Sequence, residues 1–438
     1  EYRYSAFGQV VEESKQLGGQ RYHTAYEYDM AGNLLEARYP TGQVVSYERN
    51  ELGRIARMEA NGRTVVNQVQ YDAFAGINQL HYGNGSELSI GRDTDGRITA
   101  MRLNHSSMQS SVAVHAANDR LYERAYQYDL NSNIVAIEDG VLPSASQRFG
   151  YDVLSRLTQA QGRYGQLAYI YDGVGNRVEK RSELTASRAR PENSSTQLVE
   201  RYRYAKDSNR LLGVNNRQLG YDAMGNIVND HSQTAQKLLS YGSNNRLQRV
   251  ELPEGFIEYV YNAKGQRVIK KEFGIVKARE EDLGPELLEE THFHYHDTQG
   301  HLIAETRSNG ELVKDYLYLG TERLGVVDYA LEVAIEDREG SHSDRHGELL
   351  FVHNDHLGAP QLMTDSDQTI VWQVDRKPFG EVDARIANLD MRAGFPGQYF
   401  EGISGYIYNY FRDYDPGLGR YIQSDPIGLQ GGVNTFAY

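Results

Sequence analysis

One phrase recurs along this chain and limits what it can fold into: an aromatic pair ending in Tyr-Asp, a turn marked by Gly or Asn, and a short apolar run. It appears as Tyr26-Glu27-Tyr28-Asp29 before Gly32-Asn33-Leu34, as Tyr126-Gln127-Tyr128-Asp129 before Asn133-Ile134, and as Tyr169-Ile170-Tyr171-Asp172 before Gly175-Asn176-Arg177. Tyr221-Asp222, Tyr259-Val260-Tyr261-Asn262 and Tyr295-His296-Asp297 are further copies, and degenerate ones sit near Tyr47, Tyr71, Tyr151, Tyr204, Tyr241 and Tyr318. Where spacing is cleanest, from Tyr151 to Tyr171 and from Tyr221 through Tyr241 to Tyr261, the period is 20 residues. That leaves room for two strands of about six residues and two turns, so each repeat reads as one β-hairpin.

Side chains alternate along a strand, so Tyr-x-Tyr places two rings on one face, where they are expected to stack with the rings of the next hairpin. The following Asp can accept hydrogen bonds from the backbone N–H groups of the turn, and Gly or Asn supplies the positive φ that such a turn requires. A lone hairpin is marginal, so neighbours are expected to join into one sheet, and a long twisted sheet must curl. The chain holds 33 Tyr against one Trp, and its strands read as rarely apolar on both faces. Both features favour a hollow shell with a wet lumen over a filled solenoid.

Composition narrows the function classes. A formal charge of -14 argues against a phosphate-tracking or anionic-membrane surface, which needs a Lys/Arg excess. With no cysteine there is neither a disulfide framework nor a thiolate metal site. No apolar run reaches the length of a membrane span, and Glu1-Tyr2-Arg3-Tyr4 lacks the character of a signal peptide. The chain opens inside a repeat and stops at Phe436-Ala437-Tyr438, and it is expected to be part of a longer polypeptide. Glu183 to Gln197 reads as a loop and Lys277 to Glu290 as a short helix. The polar stretch from Glu336 to Glu348 places a boundary near 349.

Beyond that boundary the texture changes. The chain reads Phe351-Val352-His353-Asn354-Asp355-His356-Leu357-Gly358-Ala359-Pro360, then Pro378-Phe379-Gly380-Glu381 and Phe395-Pro396-Gly397-Gln398-Tyr399. It closes with Tyr408-Asn409-Tyr410-Phe411-Arg412-Asp413-Tyr414-Asp415-Pro416, Gly419-Arg420-Tyr421 and Ser424-Asp425-Pro426-Ile427-Gly428-Leu429. This segment resembles the RHS repeat-associated core domain, and with the Tyr-Asp repeats the resemblance to RHS/YD-repeat proteins covers the whole chain.

The resemblance implies an all-β fold, in which hairpins form a long spiralling sheet and a hollow cocoon closed by an inward-curling C-terminal core domain. Residues 1–348 would be repeats and 349–438 the core domain. It implies the shell of a bacterial polymorphic toxin, such as a type VI secretion effector or an ABC-toxin C component, secreted or delivered into a target cell. The expected partners are an enclosed C-terminal toxin domain of the same polypeptide, an N-terminal closing domain, and a secretion spike or ABC-toxin B component. No direct nucleic-acid binding, membrane span, cofactor or metal is expected.

The family's core domain is also described as an aspartyl-type self-cleaving protease with no substrate in trans, and Asp425 matches its key Asp. Such chemistry needs two carboxylates sharing a proton. Asp413 and Asp415 are both candidates for the second carboxylate, two residues apart on one strand face and joined to Asp425 by a turn at Gly419. Arg412 or Arg420 would orient them. Family members usually continue into an Asn-Pro phrase and a second phrase like that of Asp425, so the second carboxylate and the scissile bond are also expected beyond residue 438. Apart from the resemblance, each Asp reads as a turn cap beside Pro or Gly.

His353, Asp355 and His356 invite a metal reading, but an ordered turn over Asp355 to Gly358 accounts for them. A competing function is an adhesive, carbohydrate-binding module with Tyr platforms on its outer face and no cleavage.

Overall fold

The computed structural model describes residues 1–73, 76–105, 120–183, 197–233, 235–276, 286–332, 347–389, 391–392, 394–395 and 397–437. Among these residues there is no α-helix, and 32 strands from Tyr2–Tyr4 to Val382–Ala387 form one sheet. No helix is long and apolar enough to cross a membrane among the residues described.

The repeated phrase builds each hairpin through its Asp. Asp172 Oδ1 accepts the N–H of Val174 at 3.0 Å and of Asn176 at 2.8 Å, and Oδ2 accepts Asn176 Nδ2 at 2.9 Å. Gly175 sits at φ +85° in that turn, where a Cβ would be strained. Asp29, Asp129 and Asp297 close their turns in the same way. Pairing shifts by one residue just before the second Tyr, at Gln127/Tyr128, Gly150/Tyr151 and Ile170/Tyr171. A bulge repeated at these Tyr-Asp turns adds twist each time, which curls the sheet.

Among the described residues no ring contact joins equivalent tyrosines of successive hairpins. Equivalent tyrosines are two strands apart, about 9–10 Å, beyond the roughly 4.5–7 Å between interacting ring centres. The second Tyr instead donates its hydroxyl to the first carbonyl of the adjacent strand: Tyr128 to Ile98 at 2.8 Å, Tyr151 to Ile134 at 2.9 Å, Tyr171 to Leu157 at 2.8 Å and Tyr261 to Leu247 at 2.7 Å. An arginine often covers the ring, as Arg156 does Tyr171 at 5.1 Å. Tyr171→Phe is expected to cost about 1 kcal/mol by removing one such bond, read as a lowered urea midpoint with an unchanged m-value.

Of the three stretches expected to interrupt the repeats, residues 184–196, 277–285 and 336–346 lie outside the described residues. The helix expected over Lys277 to Glu290 does not reach its C-terminal part, because Glu286–His296 is a strand in register with Arg267–Val276, Val276 opposite Glu286. Cross-strand pairing overrides the helical propensity of Leu and Glu there.

The curl brings the first hairpins onto later strands. Tyr39, Tyr47 and Tyr82 donate their hydroxyls to the carbonyls of Tyr316, Tyr318 and Val352. On the strand Leu312–Leu319, Leu317 and Leu319 join Val65, Val66 and Leu80 in one core, while Tyr316 and Tyr318 join Val326, Leu350 and Trp372 in another. Here the expectation of one wet face fails, because layers cover the strand on both sides.

Asp315 lies fully buried in this seam, accepting Thr41 Oγ1 at 2.8 Å and the Tyr329 hydroxyl at 2.7 Å. Burial pushes its carboxyl up to about 7, although both hydroxyls and Arg63 oppose the rise. The folded state therefore holds a proton that the unfolded chain loses near the ordinary value of 3.8. Stability from this group is complete below that value and disappears as pH rises to about 7, at about 1.4 kcal/mol per pH unit. Thermal melts at pH 5 and 7.5 should show a loss at the higher pH that is smaller in Asp315→Asn, and equal losses would exclude Asp315 as its source.

The strand Gly347–Asn354 spans the expected boundary at 349 and pairs on both sides, so the large sheet continues to Val382–Ala387. A separate four-stranded sheet follows, made of Tyr399–Phe400, Ile407–Asn409, Arg412–Asp415 and Arg420–Tyr421.

Candidate functional site

The strand Arg412–Asp415 alternates its side chains, so Asp413 and Asp415 share a face, as expected. Both are buried, at 3% and 6% exposure, and each meets an arginine of a different repeat. Asp413 Oδ1 accepts Arg267 Nη2 at 2.8 Å and Oδ2 accepts Gln423 Nε2 at 3.0 Å. Asp415 Oδ2 accepts Arg217 Nη2 at 2.6 Å, and Oδ1 accepts the N–H of Leu418 at 2.9 Å. The turn after Asp415 closes on Gly419 at φ +66°, whose N–H donates to the Asp415 carbonyl at 2.8 Å.

Asp425 has other partners. Its Oδ2 lies 3.1 Å from Arg412 Nη2, and its Oδ1 accepts the N–H of Ile427 at 3.0 Å. Arg412 also stacks over the Tyr421 ring at 3.6 Å. The Arg420 side chain goes elsewhere, donating to the Asn209 carbonyl at 2.7 Å and lying over Phe436. Among the described residues Asp413, Asp415 and Asp425 have no partner in common, and no hydrogen bond joins two of these carboxylates. Each Asp is held in an ion pair, and Asp415 and Asp425 also cap turns.

The strongest electrostatic feature of this region was not legible as a motif. Arg267, 1% exposed, bridges Asp413 and Glu401, and Glu401 Oε2 lies 3.1 Å from Lys270 Nζ. Its guanidinium lies 3.7 Å from the centre of the Tyr259 ring and 4.2 Å from that of Tyr408. Burial alone would raise the Glu401 carboxyl, yet Lys270 and Arg267 hold it at about 2. Asp413 goes the other way: burial pushes its carboxyl up despite Arg267 and Gln423. Arg217 forms a parallel clamp, shared by Asp415 and Asp230, and Asp230 also accepts the Tyr406 hydroxyl at 3.0 Å.

One signal could have found Arg267, though not Arg217. The first residue after the repeat turn is usually apolar, as at Leu34, Ile134, Ile227 and Leu247, but it is Arg at 177 and 267. Both turn to the C-terminal segment, and Arg177 donates to the Leu418 carbonyl and lies 4.8 Å from the Phe379 ring.

His353, Asp355 and His356 turn to different partners. Asp355 Oδ1 accepts the N–H groups of Leu357 and Ala359. His353 Nε2 pairs with Thr364 Oγ1 at 2.9 Å, with burial pushing the ring down to about 3. His356 packs on Tyr126.

Comparison with known proteins gives a consistent set of relatives. The RHS Repeat family model matches residues 4–44, and the RHS protein model matches residues 350–385. The chain is 29% identical over 334 residues to double-stranded DNA deaminase toxin A of Burkholderia cenocepacia, covering 72% of this chain and 21% of that protein. It is 28% identical over 353 residues to toxin protein Tse5 of Pseudomonas aeruginosa, covering 72% and 26%. The chain thus spans between about a fifth and a quarter of the length of these relatives. The crystal structure of TcdB2-TccC3-Cdc42 superposes with a TM-score of 0.77 at 17% identity, over 99% of this chain and 23% of that one. The Photorhabdus luminescens Tc holotoxin pore gives 0.76 at 16% identity, over 99% and 22%.

Proposed function

We propose, from the premise that this chain belongs to the RHS-repeat proteins, that it is a section of wall and plug in a shell that houses a toxin domain of the same polypeptide. Residues 1–348 are the wall and 349–438 the core domain. The observation that carries this reading is the seating of the C-terminal segment with its four-stranded sheet on the repeats, through Arg177, Arg217 and Arg267 from three separate hairpins. A charged plug held by buried ion pairs suits a closure that stays shut until the shell is opened. The proposed partners are the enclosed toxin, an N-terminal closing domain, and a secretion spike or ABC-toxin B component. Delivery is into a target cell.

The adhesive reading requires rings on an outer stripe. The repeat tyrosines Tyr126, Tyr169, Tyr202 and Tyr259 are 3–6% exposed, which removes them as glycan platforms.

The same reading assigns release of the toxin to aspartyl-type self-cleavage by Asp425, with Asp413 or Asp415 as partner. Asp413 is the better fit for the proton-bearing carboxyl, because burial pushes it up. Asp425, 17% exposed, is placed to take a proton from water. Water adds to the scissile carbonyl as Asp413 protonates its oxygen. Collapse then breaks the C–N bond as the departing amine takes the proton from Asp425 and a hydroxyl of the diol returns its proton to Asp413. This requires Asp425 and Asp413 to come together from their separate ion pairs. The full natural polypeptide, with and without Asp425→Asn, tests it on a denaturing gel. Loss of the small C-terminal fragment only in the variant supports the assignment. Cleavage in both assigns it to another residue or protease, and cleavage in neither leaves a container alone.

A further inference from the structure

We propose that Glu272, Glu290 and His292 form a site for one divalent transition-metal cation of the zinc class, which ties the strand Arg267–Val276 to Glu286–His296. Glu272 lies directly opposite Glu290 in the antiparallel pair, and Lys270 lies opposite His292. Residues two apart on a strand share a face, so both carboxylates and the imidazole converge. One ligand atom from each of the three lies within 4.8 Å of the other two.

The independent observation is His292. It is 6% exposed, and neither ring nitrogen makes a hydrogen bond, although Nε2 stands 3.1 Å from Glu290 Oε1. A cation bound to both atoms would give Nε2 the partner it lacks. In a tetrahedral site with bonds of about 2.0–2.1 Å, neighbouring ligand atoms stand about 3.3 Å apart, close to this separation.

Charge on this face points the same way. Opposed like charges on paired strands destabilise a sheet. Lys270 meets Glu272 at 2.5 Å but is shared with Glu401, and Arg307 meets Glu290 at 3.0 Å but is shared with Glu311. Two cations therefore serve three carboxylates besides Glu401. An imidazole with two carboxylates suits zinc, cobalt or nickel, whereas calcium and magnesium prefer oxygen alone. Three protein ligands leave a fourth position for water, and the Glu290 side chain, 46% exposed, opens the site to solvent.

The chain, stripped with a chelator and dialysed, is titrated with zinc by calorimetry and with cobalt by absorption. One equivalent should bind with a rise in thermal midpoint, and His292→Gln and Glu290→Gln should each weaken binding by about tenfold or more. Glu290→Gln, at a half-exposed position, keeps the test readable should His292→Gln fail to fold. Absence of zinc binding, or binding of equal strength in wild type and Glu290→Gln, overturns the site.

Discussion

Arg267→Ala is expected to lower the unfolding free energy by about 3–5 kcal/mol, the usual cost of leaving buried charges without their partner. The guanidinium is enclosed and faces Asp413 and Glu401, which are themselves 3% and 2% exposed. Removing it strands two carboxylates, of which Glu401 keeps Lys270 and Asp413 keeps only the amide of Gln423. The substitution also opens space under Tyr259 and Tyr408. Urea denaturation gives the magnitude, and limited proteolysis between Phe379 and Tyr399 reports loosening of the C-terminal sheet. Adding Asp413→Asn and Glu401→Gln should restore part of the loss, since neutral amides need no counter-charge. A single variant as stable as wild type would mean that water reaches the network.

Tyr82→Ala should cost a similar amount, about 3–5 kcal/mol, through a different mechanism. The ring is 1% exposed, packs edge-on against Phe351 and His353, and donates its hydroxyl to the Val352 carbonyl. Its loss leaves a cavity where the first hairpins meet the strand Gly347–Asn354. Tyr82→Phe keeps the packing and should cost about 1 kcal/mol, so the two variants separate the cavity from the hydrogen bond. If Tyr82→Ala costs no more than Tyr82→Phe, the layers repack across the seam.

The hairpins were legible because their information is local. Asp172 reaches N–H groups two and four residues onward, and Gly175 supplies the turn, so four or five residues contain the whole device. The turn at Asp355 and the shared face of Asp413 and Asp415 were readable for the same reason. The expected ring stacking failed because spacing between equivalent residues depends on how many strands intervene, and the hydroxyls took the adjacent carbonyls instead. The helix expected over Lys277 to Glu290 gave way to a strand from Glu286, where pairing with Val276 decided the outcome.

By itself, the sequence determined a β-hairpin array with Asp-closed turns and a C-terminal segment of different character, because period, turn residues and alternation act over a few residues. Only the tertiary structure decided that Leu317 and Tyr316 enter different cores, that Arg267 meets Glu401 across 134 residues, and that Arg412 holds Asp425 while Arg420 does not. Those outcomes depend on which distant faces the curl brings together, and whether a buried charge finds its counter-charge is settled only when those faces close.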